Sequence, residues 1–303
     1  MRPDDCSLPR EASFDIQRLA RQALIQADGM GRLPTPVDDI VAASNVVVVV
    51  GDELDPGFLS KLRGRLGPPL KRALSKVLGV LDAVGMTAFI DPKVHRSKQP
   101  FLKLHETAHA ALPWQRELYV GMEDCEKTIG PDIAEQFERE ANVFASEVLF
   151  QLDSFTTEAA QCDFGLRVPL KLAHRYGTSV YAAVRRYVST HRLACAVLVL
   201  DPPTSLDCLG FSAPVRRVVS SASFQDLFGH VQWPDRVTPE HPLGRSMPIG
   251  GRKMSPPACY TLTDLDGAQR EIVVEGFTQG YQVFLLLHAV ATLPGKTVIA
   301  PWQ

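Results

Sequence analysis

The chain has 303 residues, of which 45% are apolar and 22% charged, with a formal net charge of −2. That balance describes a folded globular protein with room for two or three domains, and it excludes a chain drawn as a whole to nucleic acid or to a membrane surface. Six cysteines, at 6, 125, 162, 195, 208 and 259, form no C-x-x-C pair; with no signal-peptide core and no apolar run near the roughly 20 residues of a membrane span, the expectation is a cytoplasmic protein with reduced thiols and no membrane partner.

Residues 12–27 carry Phe14, Ile16, Leu19, Ala20, Ala23 and Leu24 at helical spacing, ended by Gly29 and Gly31. A short second helix is expected over 37–43, and the β-branched run Val46 to Val50 reads as a buried strand. Residues 57–80 carry Lys61, Arg63, Arg65, Lys71, Arg72 and Lys76 with no acidic residue among them. Two readings stand there: a solvated loop and helix face, or a contact surface for a nucleic-acid backbone. Met86 to Ile90 reads as a second strand, and Phe101 to Leu112 as a helix stopped by Pro113. Residues 132–150 form the clearest amphipathic helix, with Ile133, Phe137, Ala141, Phe144, Val148 and Leu149 as its stripe.

Two helical patterns then flank Gly177-Thr178-Ser179, in a stretch carrying Arg167, Lys171, Arg175, Arg185, Arg186 and Arg192. This resembles a helix-turn-helix, or else a linker packing two domains. Tyr176, Tyr181 and Tyr187 are candidates for stacking on single-stranded bases. Beyond a boundary placed near 193 the pattern turns to strands, at Ala194 to Leu200, Val215 to Ser220, Tyr260 to Thr263, Glu271 to Glu275 and Tyr281 to Leu287. Asp264-Leu265-Asp266-Gly267 reads as a hairpin turn between two of them.

The chemistry lies in His105-Glu106-Thr107-Ala108-His109. One helical turn puts both imidazoles on one face as metal ligands, and Glu106 beside the first is placed as the general base of a zinc hydrolase. A catalytic zinc needs a third protein ligand and an open position. Glu138 is the candidate, with Asn142 one turn on as a hydrogen-bond partner for a ligand histidine. Glu135 and Glu140 are read as solvated. Cys125, between the second and third ligands, is a candidate inhibitory fourth ligand that would hold the site latent, or else a free thiol on an acidic loop. Tyr119 and His174 are candidate oxyanion stabilisers.

His105-Glu106-x-x-His109 followed by Glu138-x-x-Ala141-Asn142-x-Phe144-Ala145 resembles the ImmA/IrrE family of metallopeptidases over about residues 12–155. Phe150-Gln151 departs from the family's usual Met-Pro ending, which touches the helix end and not the ligands. Glu275-Gly276-Phe277 with Tyr281 to Phe284 also resembles the C-terminal region of some long members. The resemblance implies a fold like a small thermolysin-type peptidase, one Zn2+ per chain, and cleavage of a helix-turn-helix repressor controlling damage-response, mobile-element or antiphage genes. It also implies a helix-turn-helix-like segment and a GAF-like sensor in the long form.

The expectation is thus an α+β protein: a zincin-like peptidase domain at 1–155, a basic helix-turn-helix-like linker at 156–193, and a mixed α/β GAF-like sensor at 194–303. Single-stranded or damaged DNA is the expected activator, contacted by Lys61, Arg63, Arg65, Lys71, Arg72, Arg175, Arg185 and Arg186. The rival reading is a DNA-binding transcriptional regulator whose peptidase domain is only a scaffold.

Overall fold

The structure, a computed structural model, describes residues 8–50, 79–82, 86–92, 94–123, 131–206, 210–249 and 253–290. Its architecture is mixed α/β and falls into two compact units. One holds Asp5–Cys162 with Val168–Ala183, the other Asp163–Arg167 with Val184–Gln303.

In the first unit, α1 (Arg10–Gln26) and α2 (Val37–Ala43) lead into a small sheet of β1 (Val47–Val50), β2 (Gly79–Asp82) and β3 (Thr87–Ile90). The strand order is β1-β3-β2, with β1 parallel and β2 antiparallel to β3. Three helices follow: α3 (Gln99–Ala111), α4 (Pro113–Glu123) and α5 (Pro131–Leu149). Ile16, Ala20 and Leu24 of α1, Leu104 and Ala108 of α3, and Ala141, Phe144 and Val148 of α5 share one core. Periodicity misplaced two residues. Phe14 is 70% exposed and Ile133 is 47% exposed, because each lies at the rim of its stripe near a helix start, where the partner helices no longer cover it.

Pro113 does more than stop a helix. Leu112 is held extended ahead of it, and the proline opens α4 at a position where its missing N–H costs nothing. Residues 113–123, to which the sequence pattern assigns no element, are therefore helical. Helix α5 ends on two successive left-handed residues, Gln151 (φ 50°) and Leu152 (φ 57°), with Leu152 N–H donating to Glu147 O. Gln151 is buried: its Oε1 accepts from Gly31 N at 2.7 Å, and its Nε2 donates to Gly29 O at 3.0 Å and Arg32 O at 2.6 Å. The residue that departs from the Met-Pro ending thus ties the end of α5 to the loop between α1 and α2.

After α6 (Ser154–Ala159) come α7 (Arg167–Tyr176) and α8 (Val180–Ser189). Gly177 joins the last two at φ 68°, and Thr178 N–H closes the turn onto Ala173 O. Side chains larger than hydrogen would be strained at that φ. The boundary between the two units cuts this hairpin at Ala183/Val184.

The second unit is built on β4 (Cys195–Leu200), β5 (Thr204–Leu206), β6 (Gly210–Ser220), β7 (Arg236–Val237), β8 (Ala258–Thr263), β9 (Gln269–Thr278) and β10 (Val283–Ala289), with α9 (Ala222–Phe228) after β6. The sheet runs β5-β6-β4-β10-β9-β8, with β7 beside β6, and all these pairings are antiparallel. Its two central strands, β4 and β10, are apolar on both faces over Cys195–Leu200 and Val283–Leu287, and β4 is buried throughout. Asp264 closes the β8–β9 hairpin by accepting from Asp266 N and Ala268 N.

Candidate metal centre

Helix α3 packs against α5, with His105 and His109 turned to Glu138 on it and Glu106 buried beside them. The exposures of His105, Glu106 and His109, 7%, 3% and 5%, reflect the small Ala108, Ala141 and Ala145 side chains that let the two backbones come close. From α5, the Glu138 carboxylate reaches the histidines: its Oε2 lies 3.3 Å from His105 Nε2 and its Oε1 lies 3.8 Å from His109 Nε2. The two rings stand edge to face, centroids 5.0 Å apart. His105, His109 and Glu138 form the one group of three or more metal-ligating side chains found among the described residues, with ligand atoms within 4.8 Å of one another.

Does this set fit zinc? Ligand bonds of about 2.0–2.1 Å in tetrahedral geometry place neighbouring donor atoms roughly 3.4 Å apart, close to the observed separations. The second test is which nitrogen each imidazole offers. His105 Nδ1 lies 3.1 Å from Asn142 Oδ1, and His109 Nδ1 lies 2.7 Å from Gln115 Oε1. Both Nδ1 atoms are occupied by amide oxygens, so both Nε2 atoms are left to turn towards Glu138. The donor set fits. The Glu138 side chain is 38% exposed, so one side of the site is open.

The three ionisable groups are electrostatically coupled. Burial alone would lower His105, but the hydrogen bond and charge of Glu138, with the charge of Glu106, hold it up at about 9. Burial, then the charge on His105, push His109 down to about 4. Burial opposes ionisation of Glu138, yet its hydrogen bond to His105 and the two imidazoles keep it down at about 2.

Glu140 overturns its expected place. It is 3% exposed, not solvated. Its Oε2 accepts from Trp114 Nε1 and Gln115 Nε2, each at 2.7 Å, and its Oε1 accepts from Gln136 Nε2 at 2.8 Å. Two residues beyond Glu138 it points to a different side of α5, and that side is covered by α4, an element the sequence did not reveal. Gln115 was missed for the same reason; the only signal was the proline two residues before it. Glu135 is exposed and paired with Arg139.

The other sequence-derived residues are dispersed. His174 is exposed on α7. Arg175 pairs with Glu158 at 2.9 Å, and Arg185 is half-buried. Arg186 is 8% exposed, and Tyr176 and Tyr187 are 2% and 1% exposed. Burial leaves those three no surface to offer a phosphate or a base: Tyr176 packs against Phe150 and Phe155, and Tyr187 against Phe164 and His191. Tyr181 is partly exposed. Cys125, Lys61, Arg63, Arg65, Lys71 and Arg72, and the side chain of Tyr119, lie outside the described residues.

A buried histidine pair and a carboxylate on packed helices, with a second carboxylate beside the first histidine, define a protein with a potential metal site of the metallopeptidase kind. Residues 75–187 match the IrrE N-terminal-like domain of a peptidase family. Among solved structures, a Mycobacterium tuberculosis transcriptional regulator is similar at 14% identity, covering 91% of this chain and 88% of that one with a TM-score of 0.49. No curated protein matches. Among the described residues no helix is long and apolar enough to cross a membrane.

Proposed function

We propose that the chain is a zinc-dependent endopeptidase that cleaves a helix-turn-helix repressor, with DNA as its activator. The observation that carries the reading is the convergence of His105, His109 and Glu138 with both Nδ1 atoms occupied, beside the buried Glu106. Bound zinc would supply Lewis acidity to a carbonyl oxygen and to water. Glu106 then accepts a proton as water attacks the scissile carbonyl, and hands it to the departing amide nitrogen. The half-exposed edge at Glu138 is where an extended peptide reaches the site.

The repressor as substrate class comes from the family resemblance, as does the sensor role of residues 194–303. The surviving basic surface, with Arg167, Lys171 and Arg175 exposed, supports a nucleic-acid contact more weakly than the metal site supports hydrolysis.

The experiment is incubation of the zinc-loaded protein with the repressor encoded beside it, with and without DNA. Site-specific cleavage that disappears in Glu106→Gln, with zinc content retained, is expected. Retained regulatory function in that variant makes the chain a regulator with a scaffold domain instead.

A further inference from the structure

We infer that Gln115 is a positioning residue that fixes the tautomer of His109, and that the buried carboxylate of Glu140 fixes Gln115. The inference rests on the metal-centre reading given above and names two residues that act through His109 rather than on substrate.

Gln115 is fully buried, so the orientation of its amide must be settled by protein neighbours alone. Its Nε2 faces Phe137 O at 3.3 Å and Glu140 Oε2 at 2.7 Å, and its Oε1 faces His109 Nδ1 at 2.7 Å. A carbonyl and a carboxylate only accept. Turning the amide over would set Oε1 against two acceptors, so the nitrogen stays on the Glu140 side. Oε1 is then the only atom presented to His109, and an amide oxygen only accepts. His109 Nδ1 must therefore carry the proton, and its lone pair sits on Nε2, aimed towards Glu138.

Glu140 is itself held from three directions, by Trp114 Nε1, Gln115 Nε2 and Gln136 Nε2. Two of these donors, Trp114 and Gln115, come from the first turn of α4, which Pro113 opens. The break between α3 and α4 thus swings an amide beneath a histidine only six residues earlier. Buried polar groups of this kind are costly unless every partner is in place, and here every bonding atom of Glu140 and Gln115 is used. Partners in this position typically change metal affinity about 10–100-fold when removed.

The test needs no substrate. Long-range proton–nitrogen correlation spectra of the metal-free wild-type protein should show His109 as the Nδ1–H tautomer, against the usual preference of free imidazole for Nε2–H. In Gln115→Leu the Nε2–H form should appear, and zinc affinity measured against a competing chelator should fall roughly 10–100-fold. Glu140→Gln should give a smaller loss, and Glu135→Gln, on the exposed side of α5, none. An Nε2–H tautomer at His109 in the wild type overturns the inference, as does a folded Gln115→Leu protein that binds zinc as tightly as wild type. Should Gln115→Leu fail to fold, the wild-type spectrum alone decides. A wild-type protein that shows the Nδ1–H tautomer but takes up no zinc sinks the metal reading and leaves the tautomer assignment standing.

Discussion

Raising the pH of a zinc titration from about 6 to about 8 is expected to tighten binding roughly a hundredfold. Metal can enter only when both imidazoles are neutral. His109, pushed down to about 4, is already neutral across that range. His105, held up at about 9 by Glu138, is not. One proton must therefore leave for each ion bound. One proton gives about tenfold in apparent affinity per pH unit, or about 1.4 kcal/mol, so two units give about 2.7 kcal/mol, levelling off above about pH 9. Competition against a fluorescent chelator reads the slope, and calorimetry in buffers of different ionisation enthalpy counts the proton. In Glu138→Gln the largest influence raising His105 is gone, leaving burial opposed only by the charge of Glu106 and the Asn142 hydrogen bond, so affinity falls and its dependence on pH between about 7 and 8 weakens. A flat wild-type profile, or a slope of two protons, refutes the assignment of the charged form to His105 alone.

The metal-free protein carries the same signature in its stability. A raised histidine stabilises fully below its unfolded value of 6.5 and loses that contribution as pH climbs towards 9, so melting temperature should decline over that interval and the decline should shrink in Glu138→Gln. Glu106→Gln should lower the cleavage rate by about a hundredfold or more while leaving zinc content unchanged; near-normal turnover contradicts its role as base. Gln151→Ala, which removes three hydrogen bonds to buried or half-buried backbone, should cost about 2–4 kcal/mol in urea unfolding, and a loss under about 1 kcal/mol would show that the loop re-closes without it. Cys125→Ser should raise basal proteolysis if that thiol is an inhibitory ligand; unchanged basal activity removes it from the site.

What the sequence disclosed of the site is what a single helix can disclose. His105 and His109 share a face by periodicity alone, and so do Glu138 and Asn142. Gln115 and Glu140 obey no such rule. Their meeting depends on a proline that ends one helix and starts another, and on which side of α5 that new helix covers. The same limit explains Phe14 and Ile133, apolar at the right spacing yet exposed because no neighbour reaches the stripe's end. It also explains Tyr176 and Tyr187, whose ring chemistry suggests stacking but whose burial depends on packing. The strands of the second unit were legible at their β-branched centres, while β6 and β9 extend well beyond those centres because pairing, not composition, sets where a strand stops.

The groups of the candidate metal centre, from His105 to Asn142, come from three consecutive helices. Their contacts span at most 37 residues, between His105 and Asn142, and so cost less loop entropy than the pairing of β4 with β10. The sheet of the second unit is the opposite, since β4 must wait for β10, the last of its strands, before its centre pairs. On a chain made from the N-terminus, every group of the metal site has therefore emerged before the strand that completes that sheet. Zinc capture during synthesis, ahead of the second unit's folding, is open to this topology in a way it would not be had a ligand come from the C-terminal strands.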